Sequence, residues 1–232
     1  MITAHRKNLI AALLSLVIFS MGIASPTPAI STVPPEEAIA LLKSGNERFV
    51  SGKESAQNYA RDRMLTAEGQ HPYAIVVACA DSRLSPEILF DESLGRLFVI
   101  RVAGNVVDPV VLGSIEYAAE HLQIGLVLIL GHESCGAVTA AMSSGHFTPS
   151  IDAIVERINP AMLTAKARKL NDKGTLDLAI RENVLLQCES LKRSELINEL
   201  VHKGQLQVIG GVYNLHNGKV EMFTPGAVSQ HE

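Results

Sequence analysis

The chain has 232 residues, 47% hydrophobic and 4% aromatic with no Trp, and a formal charge of -4. This suits one domain of ordinary size with an aliphatic core, too long to need a disulfide staple. No basic stripe is present, so no nucleic-acid partner is expected.

His5, Arg6 and Lys7 precede an uncharged apolar run over residues 9–23, broken only by Ser15, Ser20 and Gly22. Gly22 and Ala24 sit where signal peptidase reads small residues, and Thr27 and Ala29 offer a second site. The run of about 15 residues is short of the ~20 that span a membrane. The order basic, apolar, small predicts a cleaved signal peptide over residues 1–24, rather than an uncleaved anchor or a buried helix. A periplasmic or secreted location follows, with no stable membrane anchor after cleavage. Residues 25–35, rich in Pro and Ser, read as a linker, and residues 36–232 as the folded domain.

Residues 36–49 carry apolar side chains at helical spacing, with Pro35, Glu36 and Glu37 suited to a first turn and Gly52 as a stop. Residues 73–78 (YAIVVA), 97–102 (LFVIRV) and 126–130 (LVLIL) are short continuous apolar runs, as in strands buried on both faces. Helices are predicted over residues 113–122, 136–142, 153–169 and 176–187. A fourth strand follows at 207–213, and a short fifth at 219–223 after the Asn217-Gly218 turn signal. Buried strands alternating with helices predict an α/β domain with a mostly parallel sheet of four to five strands flanked by helices.

In such sheets, functional residues gather beyond the C-terminal ends of the strands. Two segments fall there: Cys79-Ala80-Asp81-Ser82-Arg83 and Gly131-His132-Glu133-Ser134-Cys135-Gly136. Two thiolates and one imidazole form a soft tetrahedral set that favours zinc over magnesium or calcium. Three protein ligands, Cys79, His132 and Cys135, leave a fourth position open, as a catalytic zinc requires. A buried core Cys or a Cys79–Cys135 disulfide would be the plainer uses, but neither accounts for His132 or for Asp81 and Arg83. Asp81 has two options. It can take the fourth metal position and close the site, or it can pair with Arg83 and accept a hydrogen bond from a water held there. A plain surface ion pair would be worth about 0–1 kcal/mol.

With these residues the chain resembles the β-class carbonic anhydrases, in their plant-like branch. The resemblance starts at Gly45-Asn46-Glu47-Arg48-Phe49. It continues through the two metal segments and Arg101-Val102-Ala103-Gly104-Asn105. It ends at Gly211-Val212-Tyr213-Asn214-Leu215 with Gly218-Lys219-Val220. It implies one zinc ion per chain on Cys79, His132 and Cys135, with an Asp81/Arg83 dyad. The implied reaction is reversible hydration of carbon dioxide to bicarbonate and a proton, by attack of hydroxide generated at the zinc. It also implies a parallel four-stranded core with a fifth strand at the edge. A homodimer or higher homo-oligomer would have its cleft at the dimer interface. That cleft would be lined by Gln70, Phe98 and Tyr117, with Gly136 beside the second thiolate and His121 as a proton shuttle. The other branch has a regulatory bicarbonate site built on Trp, so that site is expected to be absent. Val102 and Glu133 depart from the commoner family residues. Rival readings are a carbonyl sulfide or carbon disulfide hydrolase of the same fold and a non-catalytic zinc module. A zinc deaminase lacks its H-x-E and P-C-x-x-C motifs here.

Overall fold

The computed structural model describes residues 33–143 and 145–226. The expected signal peptide and most of the linker lie outside the described residues. In chain order the elements are α1 (Pro35–Val50), α2 (Tyr59–Leu65), β1 (Ala74–Ala78), α3 (Pro86–Leu89), β2 (Leu97–Arg101), α4 (Pro109–His121), β3 (Leu126–His132), α5 (Gly136–Met142), α6 (Pro149–Lys166), α7 (Asp172–Ser190), α8 (Glu195–His202), β4 (Gln207–Tyr213) and β5 (Val220–Phe223).

The sheet order is β2-β1-β3-β4-β5. The first four strands are parallel, and β5 returns antiparallel against β4. The predicted α/β class, four-stranded parallel core and edge strand are thus all present. Every residue of β1 and β3 is buried, which explains their unbroken apolar runs. One sheet face carries Ala74, Val76, Ala78, Leu126, Leu128 and Leu130, covered by α1, α3, α5 and α6. The other carries Ile75, Val77, Val127 and Ile129, covered by α4 and α8. Helix α7 lies over β3 and β4 and contributes to both cores.

Several boundaries shift for local reasons. Helix α4 begins at Pro109, four residues before the predicted start. There Asp108 caps it by accepting from Val110 N–H and Val111 N–H, and Pro109 stands at a position where no N–H is needed. Helix α6 starts at Pro149 for the same proline reason, and α7 at Asp172, capped by Asn171 accepting from Gly174 N–H. Strand β3 runs on through His132, so the histidine belongs to the strand rather than following it. Helices α2, α3 and α8 were not predicted. Among the described residues no helix is long and apolar enough to cross a membrane.

Candidate metal centre

Strand order places β1 between β2 and β3, so the chain turns to opposite sides of β1 after its two crossovers. Ligands collect outside the strand ends at such a switch point. Cys79 leaves β1 there, and His132 closes β3 beside it. The chain then reverses. Ser134 takes a left-handed φ of 54°, which returns Cys135 toward the histidine at the start of α5.

The three ligand atoms of Cys79, His132 and Cys135 lie within 4.8 Å of one another, and all three residues are buried. The sulfurs are 3.9 Å apart and both thiols are free. That separation is far too long for a disulfide, and close to the ~3.8 Å between two sulfurs bound tetrahedrally about 2.3 Å from one zinc ion. His132 Nδ1 donates to the carbonyl of Glu133 at 2.8 Å, which leaves Nε2 as a bare acceptor. Nε2 is buried and has no hydrogen-bond partner among the described residues. An unpaired buried acceptor costs about 1–3 kcal/mol, and it faces two sulfurs. This donor set fits zinc.

The thiol pair ionises readily once. Cys79 is lowered to about 4, chiefly by its hydrogen bond with Cys135, with backbone N–H groups of Asp81 and Gly104 assisting against burial. Gly104 N–H meets the sulfur at 3.3 Å. Cys135 is correspondingly raised by that shared hydrogen bond and by burial. Cys188, the third cysteine, faces the core from α7, and burial pushes it up to about 12.

Asp81 and Arg83 stand at the rim. Arg83 Nε and Nη2 donate to the two carboxylate oxygens at 2.9 and 2.8 Å, and Arg83 N–H adds a third bond at 3.0 Å. These bonds hold the Asp81 carboxyl well below the usual carboxylate range. Its Oδ2 lies 3.9 Å from His132 Nε2, beyond hydrogen-bond reach. Of the two options the sequence left, this is the paired one. Arg101 braces the same loop, donating to the carbonyls of Cys79 at 3.3 Å and Asp81 at 2.6 Å.

Gly136 opens α5 beside Cys135, and a side chain there would meet nothing within 4 Å. The other expected pocket residues do not converge within one chain. Gln70 is exposed in the loop before β1. Phe98 packs with the α4 face of the sheet, whereas Cys79 and Cys135 belong to the core of the opposite face. Tyr117 is half-exposed on α4, its ring 5.0 Å from that of His121, which is itself exposed beside Glu120.

Gly104 and Asn183 were not predicted as site residues. Asn183 Nδ2 donates to the Gly104 carbonyl at 2.9 Å, and Gln187 Nε2 donates to Asn183 Oδ1 at 3.0 Å. A polar string thus runs from α7 to the Cys79 sulfur. Its members are 79 and 25 residues apart in sequence, and no local spacing encodes such a contact.

The sequence pattern described as carbonic anhydrase matches residues 74–220. Carbonic anhydrase 2 of Mycobacterium tuberculosis is 39% identical over 194 residues, covering 80% of this chain and 91% of its own. The carbonic anhydrase of Mycolicibacterium smegmatis is 40% identical over 195 residues, covering 81% and 93%. Among solved structures, the Coccomyxa β-carbonic anhydrase in complex with acetazolamide superimposes with a TM-score of 0.64 at 28% identity, over 78% of this chain and 86% of that one. Sequence and fold agree, and the chain belongs to the carbonic anhydrase family, in its β class.

Proposed function

We propose that this chain hydrates carbon dioxide reversibly at one zinc ion held by Cys79, His132 and Cys135, with Asp81 and Arg83 as its working dyad. The observation that carries this reading is the bare Nε2 of His132 facing two sulfurs, with a carboxylate held beside it by Arg83. When bound, zinc supplies the Lewis acidity that makes water nucleophilic near neutral pH.

The chain's own residues do the rest. Arg83 occupies both Asp81 oxygens on one side, which keeps the carboxylate ionised and turned from the ligand set. An ionised Asp81 can only accept, so it orients a reacting water by taking its hydrogen bond and rejects ligands with no proton to give. Gly136, with no side chain, leaves room for carbon dioxide beside the second thiolate.

The pocket is completed by a second copy of the chain. Helix α2 has no buried residue, yet an isolated helix of seven residues is not stable in water. Its Tyr59, Met64 and Leu65 are 56%, 73% and 69% exposed, apolar surface that a partner would cover. Gln70, Phe98 and Tyr117 then serve the partner's cleft, and His121 passes protons outward. Export to the periplasm or beyond rests on the basic, apolar and small segments over residues 5–24.

The test is zinc content and hydration rate, measured together. Wild type should hold about one zinc per chain. Arg83→Ala should keep that zinc and lose about two to three orders of magnitude in rate, because Asp81 is freed to cap the metal. An Arg83→Ala enzyme of wild-type rate would exclude the dyad.

A further inference from the structure

Glu133 follows the metal-binding histidine directly, and the chemistry proposed above gives it no task. Its backbone makes two bonds. The N–H donates to the Tyr213 carbonyl at 3.0 Å, and the carbonyl accepts the Nδ1 proton of His132 at 2.8 Å. Its side chain reaches the turn between β4 and β5. Oε1 accepts from Asn214 Nδ2 at 2.7 Å, while Oε2 accepts from Leu215 N–H at 3.1 Å and stands 3.2 Å from His216 Nδ1.

That turn is itself well fixed. Asn214 Oδ1 accepts from the N–H groups of His216 and Asn217 at 3.0 and 2.9 Å. From α1, Asn46 donates to the Gly218 carbonyl and accepts from Val220 N–H, both at 2.9 Å. The metal-binding loop needs such an anchor. Ser134 holds a left-handed backbone that costs a non-glycine residue of order 1–3 kcal/mol. Relaxation at Ser134 would move the Glu133 carbonyl and Cys135 together.

We infer that Glu133 is a positioning residue: its carboxylate docks the His132–Cys135 loop on the Asn214–Gly218 turn and so fixes the carbonyl that aims His132 at its metal. The inference rests on the zinc reading. It requires a connected set of hydrogen bonds from α1 through the turn to the imidazole, and the structure contains each one.

The test uses zinc-loaded full chain in wild type, Glu133→Ala, Glu133→Gln, Asn214→Asp and the double variant Glu133→Gln with Asn214→Asp. Two quantities are read: zinc release to a chelator, and water exchange of the His132 Nδ1 proton by nitrogen-proton NMR. Loss of a partner that orients a ligand typically costs 10–100-fold in metal affinity, so Glu133→Ala should release zinc about 10–100-fold faster and exchange that proton faster. Glu133→Gln keeps one acceptor and should fall between; it also serves if the alanine variant does not fold. Asn214→Asp sets two carboxylates against each other and should speed release. In the double variant the new amide donates to the new carboxylate, so release should slow again toward wild type.

Release and exchange within about twofold of wild type in the Glu133 variants, or no rescue in the double variant, would overturn the inference. If wild type binds no zinc, the site reading fails and this inference falls with it. If wild type binds zinc and only the Glu133 effects are missing, the site reading stands and this inference alone fails.

Discussion

At the scale of single residues, the candidate metal centre is supported by a backbone N–H as well as by side chains. Gly104 has φ 68°, and a Cβ there would sit 2.7 Å from Ile158 Cδ1. Only glycine meets both demands and still aims its N–H at the Cys79 sulfur. The Cys79 thiol is lowered chiefly by its hydrogen bond with Cys135, and the Gly104 N–H adds to that in the same direction. If zinc is held as proposed, removing a ligand has two costs: a lost metal bond and a bare His132 Nε2 left in the interior. Cys79→Ala and Cys135→Ala should each lose nearly all bound zinc by elemental analysis, and with it nearly all activity. Zinc stripped from wild type by a chelator should also lower the melting temperature, because the unpaired acceptor alone costs about 1–3 kcal/mol. Full zinc occupancy in both cysteine variants would remove the assignment.

At the scale of elements, α1 owes its place to one close approach. A Cβ on Gly45 would lie 1.8 Å from the carbonyl oxygen of Phe90 and 2.7 Å from its carbon. Ala is the better helix former by about 1 kcal/mol, which alone would favour the substitution. The clash wins, since it is with backbone and no rotamer relieves it; overpacking costs about 1–3 kcal/mol and sometimes more. Gly45→Ala should lose about 2 kcal/mol net, or about 4–8 °C in melting temperature for a chain of this size. A thermal scan showing equal or greater stability would contradict the packing described here. The helices missed from sequence were short. Helix α3 has four residues and α2 has seven, too few for a period of 3.6 to repeat. Helix α8 did carry signals: Ser194 accepts from Ile197 N–H as its cap, and Leu196, Ile197, Leu200 and Val201 are helically spaced.

At the scale of the whole molecule, the proposed second copy would cover the exposed apolar side chains of α2 and the half-exposed Tyr117 on α4. Met64→Asp with Leu65→Asp should turn a dimer into monomers in sedimentation and cut the hydration rate while sparing zinc, because the ligand set lies within one chain. Monomers in wild type, or a fully active monomeric variant, would refute a shared cleft. The sequence alone determined β1 and β3 as strands buried on both faces, whereas β2, read the same way from its apolar run, lies at the sheet edge and is only partly buried, with Arg101 exposed. The sequence also pointed to Cys79, His132 and Cys135 as a group that could hold a metal, since residue type and position at a strand end are local properties. It carried the α/β class for the same reason, through the alternation of strand and helix patterns. Tertiary structure decided that Asp81 pairs with Arg83, for both its options fit the same five residues. It also decided the bonds from Asn183 to Gly104 and from Glu133 to Asn214. Those partners lie 79 and 81 residues apart and meet only because α7 packs over β3 and β4 and because the parallel pairing of β3 with β4 brings their C-terminal ends together.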